Sequence, residues 1–528
     1  MASNNQKLLC CFCLFFATLS SPLLVAKETS TAPIQTSSGL LKSPKQYPNG
    51  IGYLGIPYAE APIKERRWKQ PVAVNSPEQI KVSNQYASAC YQDSYNIDWY
   101  KGVAKEFNHN LTMDMPEVSE DCLYLNVWLP SKNSPESPKS SNSKKRPVMV
   151  WIHGGSNKSG WSFEPNYIGN NLAAQGDVIV VSIAYRLGVF GFFSHPELLS
   201  QKDKANFAIL DQIEALKWIK TNITAFGGDK DNITIMGESA GAANVAYLMA
   251  TKKAKGLFHK AISQSGGFQW LADDSLENAV NLGEKVSKQL NVNLAELRLK
   301  PSDEIWQSIK EVAPKHEYDA VIDNNLYSVS TNLAFKENAD VDLLIGSNQH
   351  EFYMYQADNI TTATLAITPE NKNSEQQLLA KFDSYKNKKA GQDWLDTFLY
   401  MSCPSMIMAE IVNQKPNRKS YVYRFDRIRV GGEKLKAYHG AEIPYMFDKH
   451  DTWLPVNKED QALTAYMIKA WSNFAKHGNP NGAKLSLQPA WPSYNVATNE
   501  IIKLNGKVAS STGIDMNLCK SIWPSDFK

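Results

Sequence analysis

The chain has 528 residues, of which 43% are hydrophobic and 21% are charged, and its formal net charge is +3. This composition is typical of a globular protein, and a charge so close to neutral gives no indication of a polyanionic partner such as nucleic acid. The length would accommodate about three average domains, but large α/β folds often fill such a length with one core.

The first 26 residues have the pattern of a secretory signal peptide. One lysine precedes the apolar run at 8–17, and small residues at Ser20 or Ala26 could serve cleavage. The run is too short to span a bilayer, and an uncleaved anchor is the alternative. We therefore predict a signal peptide over 1–26 and a single domain over 27–528 with no stable membrane span. Export to the periplasm or the extracellular space follows, and the sequence does not distinguish between them.

Two polar stretches interrupt the early part of the chain. Residues 27–46 are polar, and we expect them to be loosely held. Residues 131–145 are rich in serine, lysine and proline, which predicts a mobile surface loop rather than a domain linker.

Four cysteines remain beyond the predicted signal peptide: Cys90, Cys122, Cys403 and Cys519. An exported chain can form disulfides. Four cysteines allow three connectivities, and the residues themselves do not choose among them.

Alternating strand and helix patterns follow along the chain. Unbroken β-branched runs at 147–152 and 178–183 predict strands buried on both faces of a largely parallel sheet. Apolar residues at helical spacing predict a helix over 208–219. Shorter strand patterns stand at 233–236, 342–346 and 420–425. This alternation predicts an α/β fold with a mostly parallel central sheet, helices on both faces and functional loops at the carboxyl ends of the strands.

A serine lies between two glycines directly after the strand predicted at 233–236. The sequence GESAG, from Gly237 to Gly241, fits the pattern G-x-S-x-G, in which a strained turn between strand and helix presents a nucleophile. Small residues after Ser239 let the helix begin close to the sheet, so the N–H of Ala240 points toward the group that the serine attacks. An ordinary glycine-rich turn is the alternative, which the flanking strand and helix disfavour.

A serine nucleophile requires a base, and in folds with this turn the chain order is serine, acid, histidine. His439 follows a strand and precedes a glycine, which leaves room for its imidazole to reach Ser239. His477 fits the last turn of a helix instead, where a cation favours the helix dipole. Glu351 follows the strand at 342–346, and we predict that it orients the imidazole, a solvated loop carboxylate being the alternative.

A glycine-rich turn also follows the strand predicted at 147–152. The sequence HGGSNKSG, residues 153–160, can direct successive backbone N–H groups at one point, as an oxyanion hole requires. His153 stands before the glycines, and we predict that it orders the turn and does not act as the base.

Together these segments resemble the carboxylesterase and cholinesterase-like family of α/β-hydrolases. The matching blocks are YLGIPYAEAP (53–62), SEDCLYLNVW (119–128), WIHGG (151–155), DQIEALKWIKTNITAFGGD (211–229), GESAG (237–241), AISQSG (261–266), HGAEIPYMF (439–447), WSNFAKHGNPN (471–481) and WPSY (491–494). They span nearly the whole of the chain after the predicted signal peptide.

The resemblance implies an α/β-hydrolase fold and a secreted serine esterase that cleaves small carboxylic esters through an acyl-enzyme, without a metal or an organic cofactor. By position, Ser239 matches the family nucleophile, Glu351 the acid and His439 the base. The other positions implied are the oxyanion-hole donors Gly155, Ser156 and Ala240, the buried residues Glu238 and Ser265 behind the triad, and the disulfides Cys90–Cys122 and Cys403–Cys519. Ser265 is expected to bond the acid.

The chain departs from the family pattern at two places. Ser156 and Asn157 stand where family members usually have a third small residue and then an aromatic. His350 and Phe352 flank Glu351, where the family usually has an acid before it and a glycine after it.

Several functions remain open within this resemblance. Cholinesterases bind choline with a tryptophan in the loop between the first two cysteines, and counting back from Cys122 places Thr112 near that position. This disfavours a choline ester, although Trp99 lies in the same loop. A lipase acting at interfaces and a non-catalytic adhesion protein are the further alternatives. Oligomeric state is not readable from the sequence.

Overall fold

The computed structural model describes residues 32–131, 145–202, 204–272, 275–365, 367, 369 and 371–523. The predicted signal peptide and nearly all of the loop predicted at 131–145 lie outside these residues. Within them, no helix has both the length and the apolar character that crossing a membrane demands.

Strands are short at the start of the chain and longer in its middle. They are β1 (Ile34–Thr36), β2 (Gly39–Lys42), β3 (Lys45–Tyr47), β4 (Gly50–Pro57), β5 (Ile80–Val82), β6 (Ala89–Cys90), β7 (Val118–Ser119), β8 (Tyr124–Pro130), β9 (Arg146–Ile152), β10 (Ile179–Ile183), β11 (Gly228–Glu238), β12 (Lys260–Gln264), β13 (Asp342–Asn348), β14 (Ser420–Phe425), β15 (Glu500–Leu504) and β16 (Ala509–Thr512).

Helices lie between the strands and in a long insertion between β12 and β13. They are α1 (Tyr95–Glu106), α2 (Asn170–Gly176), α3 (Gly188–Gly191), α4 (Phe207–Asn222), α5 (Ala240–Ala250), α6 (Leu276–Leu290), α7 (Leu294–Leu299), α8 (Ser302–Val312), α9 (Thr331–Asn338), α10 (Lys372–Ser384), α11 (Lys388–Asp396), α12 (Cys403–Asn413), α13 (Ile443–Phe447), α14 (Lys458–His477) and α15 (Met516–Ile522). A π-helical turn, Thr397–Ser402, joins α11 to α12.

One sheet of eleven strands organises the described residues, in the order β16, β15, β14, β13, β12, β11, β9, β10, β8, β4, β3. The neighbours from β15 to β10 all pair in parallel, and the strands beyond them at both edges pair antiparallel. The parallel strands therefore end at a common edge, where the loops after β9, β11, β13 and β14 meet.

The alternating side chains of β9 explain why helices cover both faces of the sheet. Val148, Val150 and Ile152 pack in a core with residues of α4, α5 and α12. Met149 and Trp151 pack in a second core with residues of α2, α13 and α14. Because both sets are fully buried, the sequence of the strand is an unbroken apolar run.

The predicted elements agree closely with these bounds. The strands expected at 147–152, 178–183, 342–346 and 420–425 correspond to β9, β10, β13 and β14, and the helix expected at 208–219 lies within α4. The strand expected at 233–236 is longer, because β11 begins at Gly228 and its register against β9 shifts between Gly228 and Ile233.

The expectation that residues 27–46 are loosely held is wrong for the described part of that stretch. β1, β2 and β3 form there, and Leu41 is fully buried. Ser38 donates its hydroxyl to the carbonyl of Pro57 at 2.6 Å and accepts the indole N–H of Trp218 at 2.8 Å. Polar side chains that find distant partners hold this segment in place.

Two disulfides tie peripheral segments to this framework. Cys90 joins Cys122 with 4.9 Å between their Cα atoms, and Cys403 joins Cys519 with 5.6 Å. These pairs agree with those that the resemblance implies.

Candidate active site

Ser239 occupies a sharp turn between β11 and α5. Its backbone has φ 56° and ψ −129°, in a region that residues with a Cβ rarely adopt. The turn is held because the N–H of Ser239 donates to the carbonyl of Gln264 at 2.9 Å, while its own carbonyl accepts the N–H of Ala243 at 3.0 Å. The side chain therefore projects from a fixed backbone.

The two glycines around Ser239 are required by close backbone contacts. A Cβ at Gly237 would lie 2.5 Å from the carbonyl carbon and oxygen of Gly241. A Cβ at Gly241 would lie 2.1 Å from the carbonyl oxygen of Ile152, the last residue of β9. The start of α5 consequently packs directly against the segment that leads into the predicted oxyanion turn.

The imidazole of His439 lies within hydrogen-bond distance of both other residues predicted to form a triad. Nε2 of His439 lies 2.8 Å from Oγ of Ser239, and Nδ1 lies 2.6 Å from Oε2 of Glu351. Oε1 of Glu351 accepts the hydroxyl of Ser265 and the N–H of Asn348, each at 2.6 Å. The fully buried carboxylate is thereby oriented toward the imidazole.

Asn348 and Glu442 support this arrangement and were missed by the sequence analysis. The fully buried carboxylate of Glu442 accepts the side-chain amides of Asn348 at 2.7 Å and Gln264 at 3.0 Å. Burial raises the pKa of Glu442, and the negative charge of Glu351 adds to that effect. Glu442 stands three residues after His439 in the HGAEIPYMF block, which was the only signal available in the sequence.

Glu238 adds a further carboxylate beside the imidazole. Burial raises the pKa of Glu238, and the charge of His439 opposes that effect. Burial by itself would lower the pKa of His439, but the charges of Glu238 and Glu351 outweigh it and raise that pKa above 6.5. The site therefore stabilises the protonated imidazole.

The predicted oxyanion-hole residues come from two separate segments. Gly155 has φ 101° and Ser156 has φ 55°, so the chain turns tightly after β9, while Ala240 begins α5. Among the described residues we find no acceptor for the N–H groups of these three residues. Ser156 lines a cavity together with Ser239 and Ala240. This arrangement can offer backbone donors to a developing negative charge next to Ser239.

Two other histidines have structural positions, as predicted. His153 is buried, stacks on the ring of Tyr185 and lies 2.9 Å, through Nδ1, from the carbonyl of Gly154. Burial lowers its pKa to about 4, so it stays neutral near pH 7 and orders the turn. His477 is the last residue of α14, and Gly478 follows it in a left-handed conformation.

Two cavities of very different size meet at Ser239. The larger, of about 980 Å³, has a wall that is partly aromatic and partly polar. The smaller, of about 90 Å³, lies between α1 and the segment that follows Glu351. The larger cavity is lined by residues that include Tyr95, Lys158, Asp319, Phe352, Gln356, Thr361, Asp396 and Tyr400.

Trp99 and Tyr355 form one wall of the small cavity. The indole N–H of Trp99 donates to the hydroxyl of Tyr355 at 2.9 Å, and both side chains line the cavity with Glu238. The position count that pointed to Thr112 therefore did not identify the aromatic beside the site, because α1 carries Trp99 there. Trp99 reopens the question of cationic alcohols that the count had disfavoured.

Among the described residues, no group of three or more His, Cys, Asp or Glu side chains is arranged to hold a metal ion.

Comparisons with known proteins show what this chain is similar to. The family model described as "Carboxylesterase family" matches residues 31–520. A para-nitrobenzyl esterase of Bacillus subtilis (strain 168) is 31% identical over 510 residues, covering 93% of this chain and 98% of the relative. Carboxylesterase 5A of Felis catus is 30% identical, covering 87% and 86%. An acetylcholinesterase of Bungarus fasciatus is 29% identical, covering 88% and 81%.

Solved structures show the same similarity. A PNB esterase structure superposes with a TM-score of 0.79 at 28% identity, covering 93% of this chain and 99% of that one. A carboxylesterase of Geobacillus stearothermophilus gives a TM-score of 0.75 at 28% identity, covering 93% and 100%. The architecture is the α/β-hydrolase fold.

Proposed function

This chain belongs to the carboxylesterase family and is a serine hydrolase of carboxylic esters, and we propose that Ser239, His439 and Glu351 are its catalytic triad. One observation carries the proposal: a single imidazole lies 2.8 Å from the serine hydroxyl and 2.6 Å from a buried carboxylate. A serine hydroxyl becomes a competent nucleophile when such a base removes its proton.

The proposed reaction passes through an acyl-enzyme. Nε2 of His439 takes the hydroxyl proton as Oγ of Ser239 bonds to the ester carbonyl carbon, and the carbonyl oxygen becomes an oxyanion. When the tetrahedral intermediate collapses, the bond to the alcohol oxygen breaks and His439 gives that oxygen its proton. Water then attacks the acyl carbon with His439 again as base, releasing the acid and restoring Ser239.

Backbone donors from two elements are proposed to stabilise the oxyanion. The N–H groups of Gly155 and Ser156 come from the turn after β9, and that of Ala240 comes from the first residue of α5. The absence of acceptors for them among the described residues supports this role. Removing one such donor typically costs about a hundredfold to a thousandfold in rate.

Ser265 and Glu238 are proposed to assist the triad without contacting the scissile bond. The hydroxyl of Ser265 bonds Glu351 at 2.6 Å and so fixes the carboxylate that orients His439. Oε1 of Glu238 lies 3.3 Å from Nε2 of His439, where its negative charge favours the protonated imidazole.

We also propose that the protein is exported as a single domain over 27–528 after removal of residues 1–26. The two disulfides support an oxidising compartment, since such bonds are rare in the cytosol. Amino-terminal sequencing of exported protein tests the proposal. A mature chain that begins near residue 27 is the expected result, and retention of Met1 would contradict it.

A small-molecule ester is the proposed substrate, and nucleic acid is not expected as a partner of a chain with net charge +3.

Ser239→Ala tests the catalytic assignment with a soluble nitrophenyl ester. The variant should keep its fold by circular dichroism and lose nearly all hydrolysis. Full activity in folded Ser239→Ala would refute the triad. A rate that jumps above the solubility limit of a long-chain ester would instead indicate a lipase.

A further inference from the structure

We propose that Asn157, paired with Asn244, positions the two halves of the oxyanion hole relative to each other. This inference rests on the proposed function and concerns a residue that departs from the usual family pattern. Asn157 directly follows Ser156 in the turn after β9, and Asn244 lies in α5, whose first residue is Ala240. The proposed donors thus stand on two segments, and the amide pair connects them.

Asn157 is held by hydrogen bonds on both sides of its amide. Its Nδ2 donates to the carbonyl of Tyr318 at 2.7 Å, and its Oδ1 accepts from Nδ2 of Asn244 at 2.9 Å. Its backbone carbonyl accepts the N–H of Gly188 at 2.7 Å. The side chain is 1% exposed and that of Asn244 is fully buried, so water cannot easily replace these bonds.

The orientation of the Asn157 amide is fixed by its partners. The carbonyl of Tyr318 can only accept, so the nitrogen of Asn157 must face it and the oxygen must face Asn244. Asn157 also has φ 54°, a left-handed conformation that asparagine tolerates better than an aromatic residue does. Asparagine therefore suits the left-handed backbone at this position, and its side chain links three segments.

This linkage has a catalytic consequence because oxyanion stabilisation depends on the mutual placement of donors. A displacement of about 1 Å at a reacting centre can cost about a hundredfold in rate. Loss of the bond between Asn157 and Asn244 would let the turn that carries Gly155 and Ser156 move relative to Ala240. Asn157 also lines the large cavity, but its side chain is only 1% exposed, so its truncation should alter the cavity wall less than the placement of the turn.

The chain offers a matched control in Asn206. Asn206 is also 1% exposed with φ 60°, and its amide makes two bonds of 2.9 Å to the backbone of Val321, three residues after Tyr318. It has no bond to the oxyanion turn among the described residues. Asn206→Ala therefore reproduces the loss of two buried hydrogen bonds and of a left-handed asparagine.

The test compares Asn157→Ala, Asn244→Ala, their double variant and Asn206→Ala in nitrophenyl ester hydrolysis. For Asn157→Ala we expect kcat to fall about tenfold to a hundredfold with KM changed less than about threefold. Binding of a trifluoromethyl ketone, which mimics the tetrahedral intermediate, should weaken in parallel. Asn206→Ala should lower the thermal midpoint similarly and keep kcat near the wild-type value.

Coupling between the two asparagines distinguishes positioning from general stability. The double variant should lose little more activity than either single variant, because both remove one contact. Any of three results would overturn the inference. Asn157→Ala could have the same kcat as wild type, Asn157→Ala and Asn206→Ala could lose kcat equally, or the losses of kcat could be additive in the double variant. If Asn157→Ala does not fold, Asn244→Ala is decisive instead, because it removes the same bond and leaves that of Asn157 to Tyr318 in place; the same fall in kcat is expected, and an unchanged kcat would overturn the inference.

The wild-type protein separates this inference from the proposed function. Absence of ester hydrolysis in folded wild type would refute the proposed function itself. Active wild type together with unaffected Asn157 variants would refute only the role of the amide pair.

Discussion

Oε1 of Glu238 lies 3.3 Å from Nε2 of His439, the same nitrogen that faces the hydroxyl of Ser239. A carboxylate at this position stabilises the imidazolium that forms when His439 takes the serine proton. It also raises the pKa of the resting imidazole, so more of the enzyme is inactive at a given pH. Glu238 therefore acts in two opposite senses on the rate.

The pH dependence of hydrolysis follows from this placement. Only neutral imidazole accepts the serine proton, and the pKa of His439 is raised above 6.5 by Glu238 and Glu351. Activity should therefore rise with pH through a midpoint above 6.5. Glu238→Gln removes a carboxylate that favours the protonated imidazole, so it should lower the pKa of His439 and move the midpoint to lower pH. A pH series of kcat/KM measures both, and an unmoved midpoint in Glu238→Gln would exclude the proposed coupling.

Ser156 is proposed to act through its backbone N–H and not through its hydroxyl. Ser156→Ala should therefore keep kcat within about threefold of wild type, since it retains the donor. Ser156→Gly should be at least as stable as wild type, because glycine adopts φ 55° without strain. Steady-state kinetics and thermal melts check both variants. A large loss of kcat in Ser156→Ala would assign chemistry to the hydroxyl instead.

The unequal cavities predict which esters are cleaved. Cavities of about 980 Å³ and 90 Å³ meet at Ser239, so one side of the ester can be bulky and the other must be small. Esters that are bulky on both sides should have kcat/KM lower by at least about tenfold than esters bulky on one side. Trp99→Ala should reduce that difference. Equal rates across a matched ester series would contradict the assignment of the cavities.

Removing either disulfide should destabilise the fold. Loop-closure entropy predicts a loss in the free energy of unfolding of about 3 to 5 kcal/mol for each bridge. Urea unfolding of variants in which both cysteines of one bridge are replaced by serine measures this free energy. A loss below about 1 kcal/mol would be inconsistent with that range. The variant lacking Cys90 and Cys122 should also discriminate less by ester size, because Tyr95 and Trp99 lie within that loop. The variant lacking Cys403 and Cys519 is the control for this effect on discrimination by ester size.

Most of the fold could be predicted because its central strands are buried on both faces. The runs at 147–152 and 178–183 are apolar throughout for that reason, and β9 and β10 confirm them. Residues 32–46 could not be predicted in the same way. Their order depends on contacts such as that between Ser38 and Trp218, which are 180 positions apart in sequence and leave no local pattern.

The candidate site was predictable where a motif has fixed backbone requirements. GESAG specifies a strained turn, and Ser239 has the φ of 56° that such a turn needs. Asn348 and Glu442 were missed because burial of a carboxylate or an amide depends on tertiary packing and not on spacing. The position of Trp99 beside the site was left open, because counting along a loop cannot anticipate that the loop contains a helix.

Labelling with a fluorophosphonate tests the central claim most directly, since that reagent requires an activated serine beside an oxyanion hole. Intact-mass and peptide-mass measurements on the folded protein should show one phosphonyl adduct, located on Ser239. The adduct should be absent in Ser239→Ala and should form much more slowly in His439→Ala. A folded wild-type protein that stays unlabelled, or carries its adduct on another residue, would contradict the account.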